Sequence, residues 1–234
     1  MADHQVRHLG VIMDGNRRWA RQHLLQSVLK GHEKGGDTFV DVCRWCENAE
    51  IPYLTVYAFS TENWDRSQTE VSGLFRLMKQ FFVEKMDLCI EMDTRVRVIG
   101  DVERLSPEML DVVRRAEERS KDCKTLNLQI AISYGGRDEI LRGIRKYTAD
   151  VLAGREDPQE LTEELFERYL DTAGIPDVDL MIRTGGNHRL SNFLPWQTTY
   201  AELYFTDVLW PDFSEADLQE ALAYYRTIQI NKGR

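Results

Sequence analysis

Four short polar segments, each punctuated by glycine or arginine, carry the residue types of an anion-handling site: Asp14-Gly15-Asn16-Arg17-Arg18-Trp19, Phe59-Ser60-Thr61-Glu62-Asn63-Trp64 with Arg66, Tyr134-Gly135-Gly136-Arg137, and Arg183-Thr184-Gly185-Gly186-Asn187-His188-Arg189 with Ser191-Asn192. Arginine presents a planar fork of donors that matches phosphate oxygens. A glycine-led helix start after Asp14 adds backbone N–H groups that favour an anion. Asp14 has two readings. It can cap the helix that follows, or it can hold a divalent cation, since Mg²⁺ takes one or two carboxylates together with substrate phosphates. Arg183 and Arg189 on a second segment favour the ligand reading. His32 lies in Lys30-Gly31-His32-Glu33-Lys34-Gly35-Gly36, where the glycines permit a close backbone approach. Glu62 and Asn63 can orient a catalytic group or cap a turn.

The elements that must position these segments follow from hydrophobic period. Runs rich in β-branched residues mark strands at Leu9–Met13, Tyr53–Ala58, Val96–Ile99, Leu126–Ser133, Leu180–Ile182 and Leu203–Phe205. Helical periodicity falls at about 34–49, 70–92, 106–121, 137–154, 159–171 and 214–227. Ser106-Pro107-Glu108 and Thr162-Glu163-Glu164 are helix starts with acidic first turns. Strand-helix alternation predicts an α/β fold, with one mostly parallel sheet flanked by helices. Ligands bind beyond the carboxyl ends of such strands, and all four polar segments follow predicted strands. With 234 residues and no linker longer than the loop around Gly154 and Pro158, the expectation is one domain over 1–234.

Composition narrows the class. A formal charge of −9 disfavours a general nucleic-acid binder, while leaving room for arginines converging on one cleft. No run of about 18 apolar residues is present and no signal peptide is readable, so the expectation is a cytoplasmic protein without a transmembrane segment. Cys43-x-x-Cys46 lies on the apolar face of a helical pattern beside Phe39 and Val42, which predicts buried, reduced thiols rather than a metal pair. There is no G-x-x-x-x-G-K-[ST] loop, so a P-loop phosphotransferase is disfavoured.

The stretches HLGVIMDGNRRWA (8–20), KGHEKGG (30–36), YAFSTENWDRS (57–67), VIGD (98–101), SYGGRDEI (133–140), DLMIRTGGNHRLSNFLPWQ (179–197) and YAELYFTDVLWPDF (200–213) resemble the cis-prenyltransferase family, of the undecaprenyl diphosphate synthase type, in order and across nearly the whole chain. The resemblance implies a homodimer whose parallel sheet flanks an apolar tunnel, joining an allylic diphosphate to a second isoprenoid diphosphate with Mg²⁺. It implies that Asp14, Asn16, His32, Ser60 and Asn63 are catalytic and that Asp14 and Glu202 hold the metal. Gly15, Arg17, Arg18, Trp19, Phe59, Glu62, Trp64, Arg66, Arg183, Arg189, Ser191 and Tyr200 would bind substrate. On the tunnel helix, Phe75, Met78, Phe81 and Phe82 would plug the tunnel and limit the product to about ten to twenty carbons, although bulky residues at that spacing are usually core.

Three departures from the family pattern concern diphosphate handling. Val28 stands where an arginine is usual, Asn187 replaces the acid of T-[SG]-G-E, and the tail from Tyr225 to Arg234 lacks the usual arginine-rich ending. Pro195 is also unusual. Together they point to a non-standard second substrate or binding mode, and lavandulyl-type relatives of the family join two allylic diphosphates head-to-middle. The expected reaction therefore leans to a branched short product, with head-to-tail elongation by isopentenyl diphosphate as the alternative. A non-catalytic partner subunit is disfavoured, because Asp14, Asn16, Ser60 and Asn63 are all present.

Overall fold

The structure is a computed structural model and describes residues 5–228. Six strands form one sheet in the order β3-β4-β2-β1-β5-β6, and every neighbouring pair is parallel. They are β1 (His8–Ile12), β2 (Tyr53–Ser60), β3 (Thr94–Ile99), β4 (Leu126–Tyr134), β5 (Leu180–Arg183) and β6 (Glu202–Phe205). Each lies within two residues of its predicted position at either end. The reason is visible in burial: all of β1 and every residue of β4 except Asn127 are buried, so these strands read as continuous apolar runs. The chain runs from β1 to its neighbour β2, out to the edge strand β3 and back to β4 between them, then crosses to β5 and β6 on the other side of β1. β1 therefore stands at the reversal of strand order, where ligands bind in such sheets.

The helices are α1 (Asn16–Gln22), α2 (Leu29–Asn48), α3 (Gln68–Glu84), α4 (Met86–Glu91), α5 (Pro107–Ser120), α6 (Gly136–Leu152), α7 (Glu163–Glu167) and α8 (Glu215–Thr227). Ser106 and Thr162 cap α5 and α7 as expected, accepting from Met109 N at 3.2 Å and Leu165 N at 3.2 Å. Two predicted helices are shorter than their periodicity. The 70–92 pattern breaks at Lys85, where neither glycine nor proline signals a stop. The 159–171 pattern becomes a 3-10 turn at Pro158–Glu160 followed by the five residues of α7. Conversely, α2 begins five residues before its predicted start, because Gly31, Gly35 and Gly36 mask the helix in propensity terms.

Gly31 and Gly35 serve packing rather than ligand approach. A Cβ on Gly31 would stand 2.0 Å from Asn16 O, and one on Gly35 would stand 2.2 Å from Asn16 Oδ1, so α1 crosses α2 at these two positions. Cys43 and Cys46 are buried and unpaired in α2, and burial pushes the Cys46 thiol up to about 12. No helix among the described residues is long and apolar enough to cross a membrane. The tail at 229–234, whose departure from the family pattern is noted above, lies outside the described residues.

Candidate active site

Asp14 follows β1 by two residues and is fixed through its backbone. Its carbonyl accepts from Trp210 N at 3.0 Å and from Thr184 Oγ1 at 2.7 Å. Its carboxylate meets the segment that follows β5. Oδ2 accepts from Arg183 Nη2 and from Asn187 Nδ2, both at 2.9 Å, and Oδ1 lies 3.4 Å from Arg18 Nη2. Burial alone would raise the acid's pKa. The hydrogen bonds from Arg183 and Asn187 and the charges of Arg183 and Arg18 outweigh it, and the pKa is lowered. Asp14 is thus a carboxylate at neutral pH.

Arg183 is 4% exposed and distributes its donors: Nη2 to Asp14, and Nη1 to Arg189 O and to Ser191 Oγ at 2.8 Å. Arg189 also reaches Ser191 Oγ at 3.2 Å and Asn187 Oδ1 at 3.1 Å. This turn depends on glycine. Gly185 has φ +79°, and a Cβ there would stand 2.4 Å from Arg18 Nη2.

A cavity of about 730 Å³ opens against these groups. Its polar wall includes Asp14, Asn16, His32, Ser60, Glu62, Asn63, Arg66, Arg183, Arg189 and Ser191, all expected from the sequence. Its apolar wall, between the sheet, α2 and α3, includes Phe39, Leu74, Leu77, Met78, Phe81, Phe82, Ile130 and Ile132. His32 is neutral: burial, aided by the nearby Arg66 and Arg17 charges, lowers its pKa to about 4 against the pull of Glu70. Neither its Nε2 nor the Oδ1 of Asn16 has a hydrogen-bond partner, and both atoms are buried. Asn63 Oδ1 accepts from Ser60 N at 3.1 Å and so shapes the turn that carries both residues.

The other expected residues are placed differently. Gly15, Arg17 and Arg18 do not line the cavity. Gly15 has φ +116° against Leu209, Arg17 pairs with Glu70 at 3.7 Å, and Arg18 backs Asp14. Trp19 turns away to donate to Asp212 Oδ1 at 2.7 Å. Phe59 and Trp64 do not line the cavity; they pack with Phe75, so Phe75 belongs to this aromatic cluster and not to the tunnel wall. Leu74 and Leu77 line the tunnel in its place. Tyr200 is 67% exposed and precedes β6, away from the cavity. Glu202 begins β6 in register with Leu180, while Asp14 lies beyond the opposite ends of the strands, roughly 10 Å or more along the sheet at 3.3 Å per residue. Asp14 and Glu202 therefore do not share a metal within one chain.

Three contributors went unassigned in the sequence. Asn187 is a donor to Asp14 and not merely a lost acid. Glu70 holds Arg66 at 3.0 Å and Arg17, and its i,i+4 spacing from Arg66 is the signal that would have found it. Trp210 closes the cavity floor with Nε1 on Gly35 O at 2.8 Å.

For Mg²⁺, the donor set fits a substrate-assisted site. Asp14 Oδ2 is occupied by two donors, and Oδ1, which faces only Arg18 Nη2 at 3.4 Å, is the carboxylate oxygen left for a cation whose other ligands would be phosphate and water. No group of three or more His, Cys, Asp or Glu side chains among the described residues can hold a metal unaided.

Comparison with known proteins gives one consistent result. Residues 12–233 match the prenyltransferase family model described as putative undecaprenyl diphosphate synthase. An isoprenyl transferase of Wolinella succinogenes is 44% identical over 214 residues, covering 92% of this chain and 90% of that protein. One from Aquifex aeolicus is 44% identical over 227 residues, covering 97% and 95%. Among solved structures, lavandulyl diphosphate synthase from Lavandula x intermedia in complex with dimethylallyl diphosphate superposes with a TM-score of 0.95 at 35% identity, covering 98% of this chain and 99% of that one. A probable undecaprenyl diphosphate synthase from Campylobacter jejuni superposes with a TM-score of 0.82 at 33% identity, covering 99% and 100%.

Proposed function

The chain belongs to the undecaprenyl diphosphate synthase family of prenyltransferases, and from that membership we propose that it ionises an allylic diphosphate and condenses it with a second, also allylic, isoprenoid diphosphate to give a short, branched head-to-middle product. In this reading the chain acts as one catalytic domain within a homodimer and uses Mg²⁺. The observation that carries it is the Asn187 contact. Where the family usually has an acid, an amide donates to Asp14 Oδ2, so the loop that would hold the second diphosphate keeps Arg183, Arg189 and Ser191 and has exchanged a carboxylate for a donor. The likeness to the lavandulyl diphosphate synthase structure supports the same reading.

The chemistry follows from the charge. Breaking the allylic C–O bond leaves an allylic cation and sends the electron pair to the diphosphate. Stabilising that leaving charge is the main catalytic task. Arg17 and Arg18 would stand near it, and His32, neutral with a free Nε2, would hydrogen-bond a departing oxygen. A bound Mg²⁺ on Asp14 would supply Lewis-acid neutralisation of the diphosphate. The π electrons of the second substrate then form the new C–C bond, and the resulting cation loses a proton to the released diphosphate. The apolar wall keeps water from both cations.

Product length follows from volume. A cavity of about 730 Å³ falls in the ~300–1,000 Å³ range of small-molecule pockets, and the bulky Met78, Phe81 and Phe82 line it. Incubation with Mg²⁺ and dimethylallyl diphosphate alone should yield a ten-carbon branched diphosphate by mass spectrometry. Product formed only when isopentenyl diphosphate accompanies geranyl diphosphate would overturn the branched assignment in favour of head-to-tail elongation, the second reading, which the likeness to the Campylobacter jejuni structure favours. Phe81→Ala should lengthen a head-to-tail product by one or two five-carbon units, and in the branched reading should admit geranyl diphosphate as a longer allylic substrate.

A further inference from the structure

We propose that Asn192 is a positioning residue that fixes the spacing between the Glu62 turn and the Arg183–Arg189–Ser191 loop, and so sets how the two substrates face each other. The inference rests on the prenyltransferase reading but not on the regiochemistry of the product.

Asn192 ties three segments together. Its carbonyl accepts from Gly136 N at 2.8 Å, its Oδ1 accepts from Arg137 N at 3.0 Å, and its Nδ2 donates to Glu62 Oε1 at 3.1 Å. The first two bonds satisfy amides at the start of α6, whose own N-cap, Gly135, has no side chain to do so. The third serves no capping purpose and reaches across to the turn after β2. The adjoining Ser191 is the shared acceptor of Arg183 and Arg189, and the Tyr57 hydroxyl donates to its carbonyl at 3.4 Å. Displacing Asn192 therefore moves Ser191 and, through it, both guanidinium groups.

The local backbone is built for this knot. Ser191 and Asn192 both hold positive φ, at +51° and +63°, a region that asparagine tolerates better than most residues and that clusters at functional sites. Gly135 and Gly136 leave room for the approach. A Cβ on Gly135 would stand 2.8 Å from Asn192 Nδ2, and one on Gly136 would stand 1.9 Å from Pro195 Cδ. The Gly135-Gly136 pair of the third polar segment is thus the seat of the Asn192 loop.

The test uses three variants of the full chain, with product formation from dimethylallyl diphosphate and Mg²⁺ with and without isopentenyl diphosphate, calorimetric titration of inorganic diphosphate, and thermal melting. Asn192→Gly keeps the backbone conformation and removes both side-chain bonds. It should lower kcat/KM and weaken inorganic diphosphate binding, with kcat/KM down roughly ten- to a hundredfold for the loss of two bonds, one of them to a carboxylate. Asn192→Asp keeps the acceptor for Arg137 but sets a charge against Glu62, and should be at least as impaired. Pairing it with Glu62→Gln reverses donor and acceptor, and should recover activity at least tenfold over Asn192→Asp alone, a rescue that a plain helix cap would not show. Asn192→Gly within twofold of the unaltered protein in both activity and diphosphate binding, or a double variant no better than Asn192→Asp, would overturn the proposal. If the unaltered protein forms no product, the functional reading fails, and the diphosphate titration of Asn192→Gly still decides the role of Asn192.

Discussion

The cavity has two polar walls that differ in how far their hydrogen bonding is complete. On the wall built from the ends of β1 and β5, Asp14 Oδ2 takes two donors, Arg183 spreads across three acceptors, and Ser191 Oγ receives two guanidinium groups. On the facing wall, from α1 and α2, Asn16 Oδ1 and His32 Nε2 are buried with no partner. A buried polar atom without a hydrogen bond costs roughly 1–3 kcal/mol and is rare in native proteins. The first wall is largely completed by contacts within the chain, with Arg183 Nε left without a partner, whereas Asn16 Oδ1 and His32 Nε2 on the second make no such contact. Stability and activity should therefore separate when the two walls are altered.

The sharpest break comes from Asp14→Asn. It keeps the shape, removes the charge that Arg183 and Arg18 face, and should lower kcat by about 10³-fold, the size expected when a preorganised electrostatic group is lost. Stability should fall as well, by roughly 2 kcal/mol. That is less than a fully buried pair would lose, because the Asp14 side chain keeps 29% exposure. Chemical denaturation and product yield measured together would check this. An active variant would refute the assignment of Asp14 to ionisation.

The facing wall should respond otherwise. His32→Leu replaces an unpartnered imidazole with an apolar group, so folding stability should hold or rise while turnover falls about ten- to a hundredfold. A parallel loss of stability and activity would mean that the two walls do not differ. The titration of His32 sharpens the contrast. Its folded pKa of about 4 lies below the unfolded value of 6.5, so the unfolded chain binds the proton first as pH falls. Stability is fully present above about 6.5 and drains away as pH drops toward 4, with a loss on the order of 3 kcal/mol. His8, buried within the sheet and bonded to Thr55 Oγ1 and Pro176 O, is lowered to about 4 as well and adds a second such loss. Melting temperature against pH should be shallower in His32→Leu than in the unaltered protein, with the His8 share remaining.

The same contrast explains what the sequence disclosed. Residues just past strand ends were legible, because a parallel sheet places all those ends on one edge and period-two and continuous apolar runs locate the strands. Asp14, Ser60, Asn63, Arg183 and Ser191 follow from that rule alone. Which side chains meet was not legible. Whether Asn187 repels or clamps Asp14, and whether Phe75 faces the tunnel or Trp64, depends on helix rotation and loop path, set by packing among distant segments. The separation of Glu202 from Asp14 within one chain was hidden for a related reason: motif order along the chain does not say which end of a strand a residue occupies.

The smallest effect should come from Gly36, and it tests the comparison at its limit. Two of the three glycines of α2 are packed against Asn16: alanine at Gly31 or Gly35 would drive a methyl into that residue. Nothing lies within 4 Å of a Cβ on Gly36, which faces the cavity itself. On helix propensity alone, Gly36→Ala should raise stability by about 0.5–1 kcal/mol. A cavity that merely happened to be empty would accept the methyl without consequence. A cavity whose open wall is completed by substrate would resist it, so KM should rise a few-fold while the protein becomes more stable. Higher stability with KM unchanged would show that substrate does not reach this part of α2, and would confine the binding surface to Asn16, His32 and the strand ends.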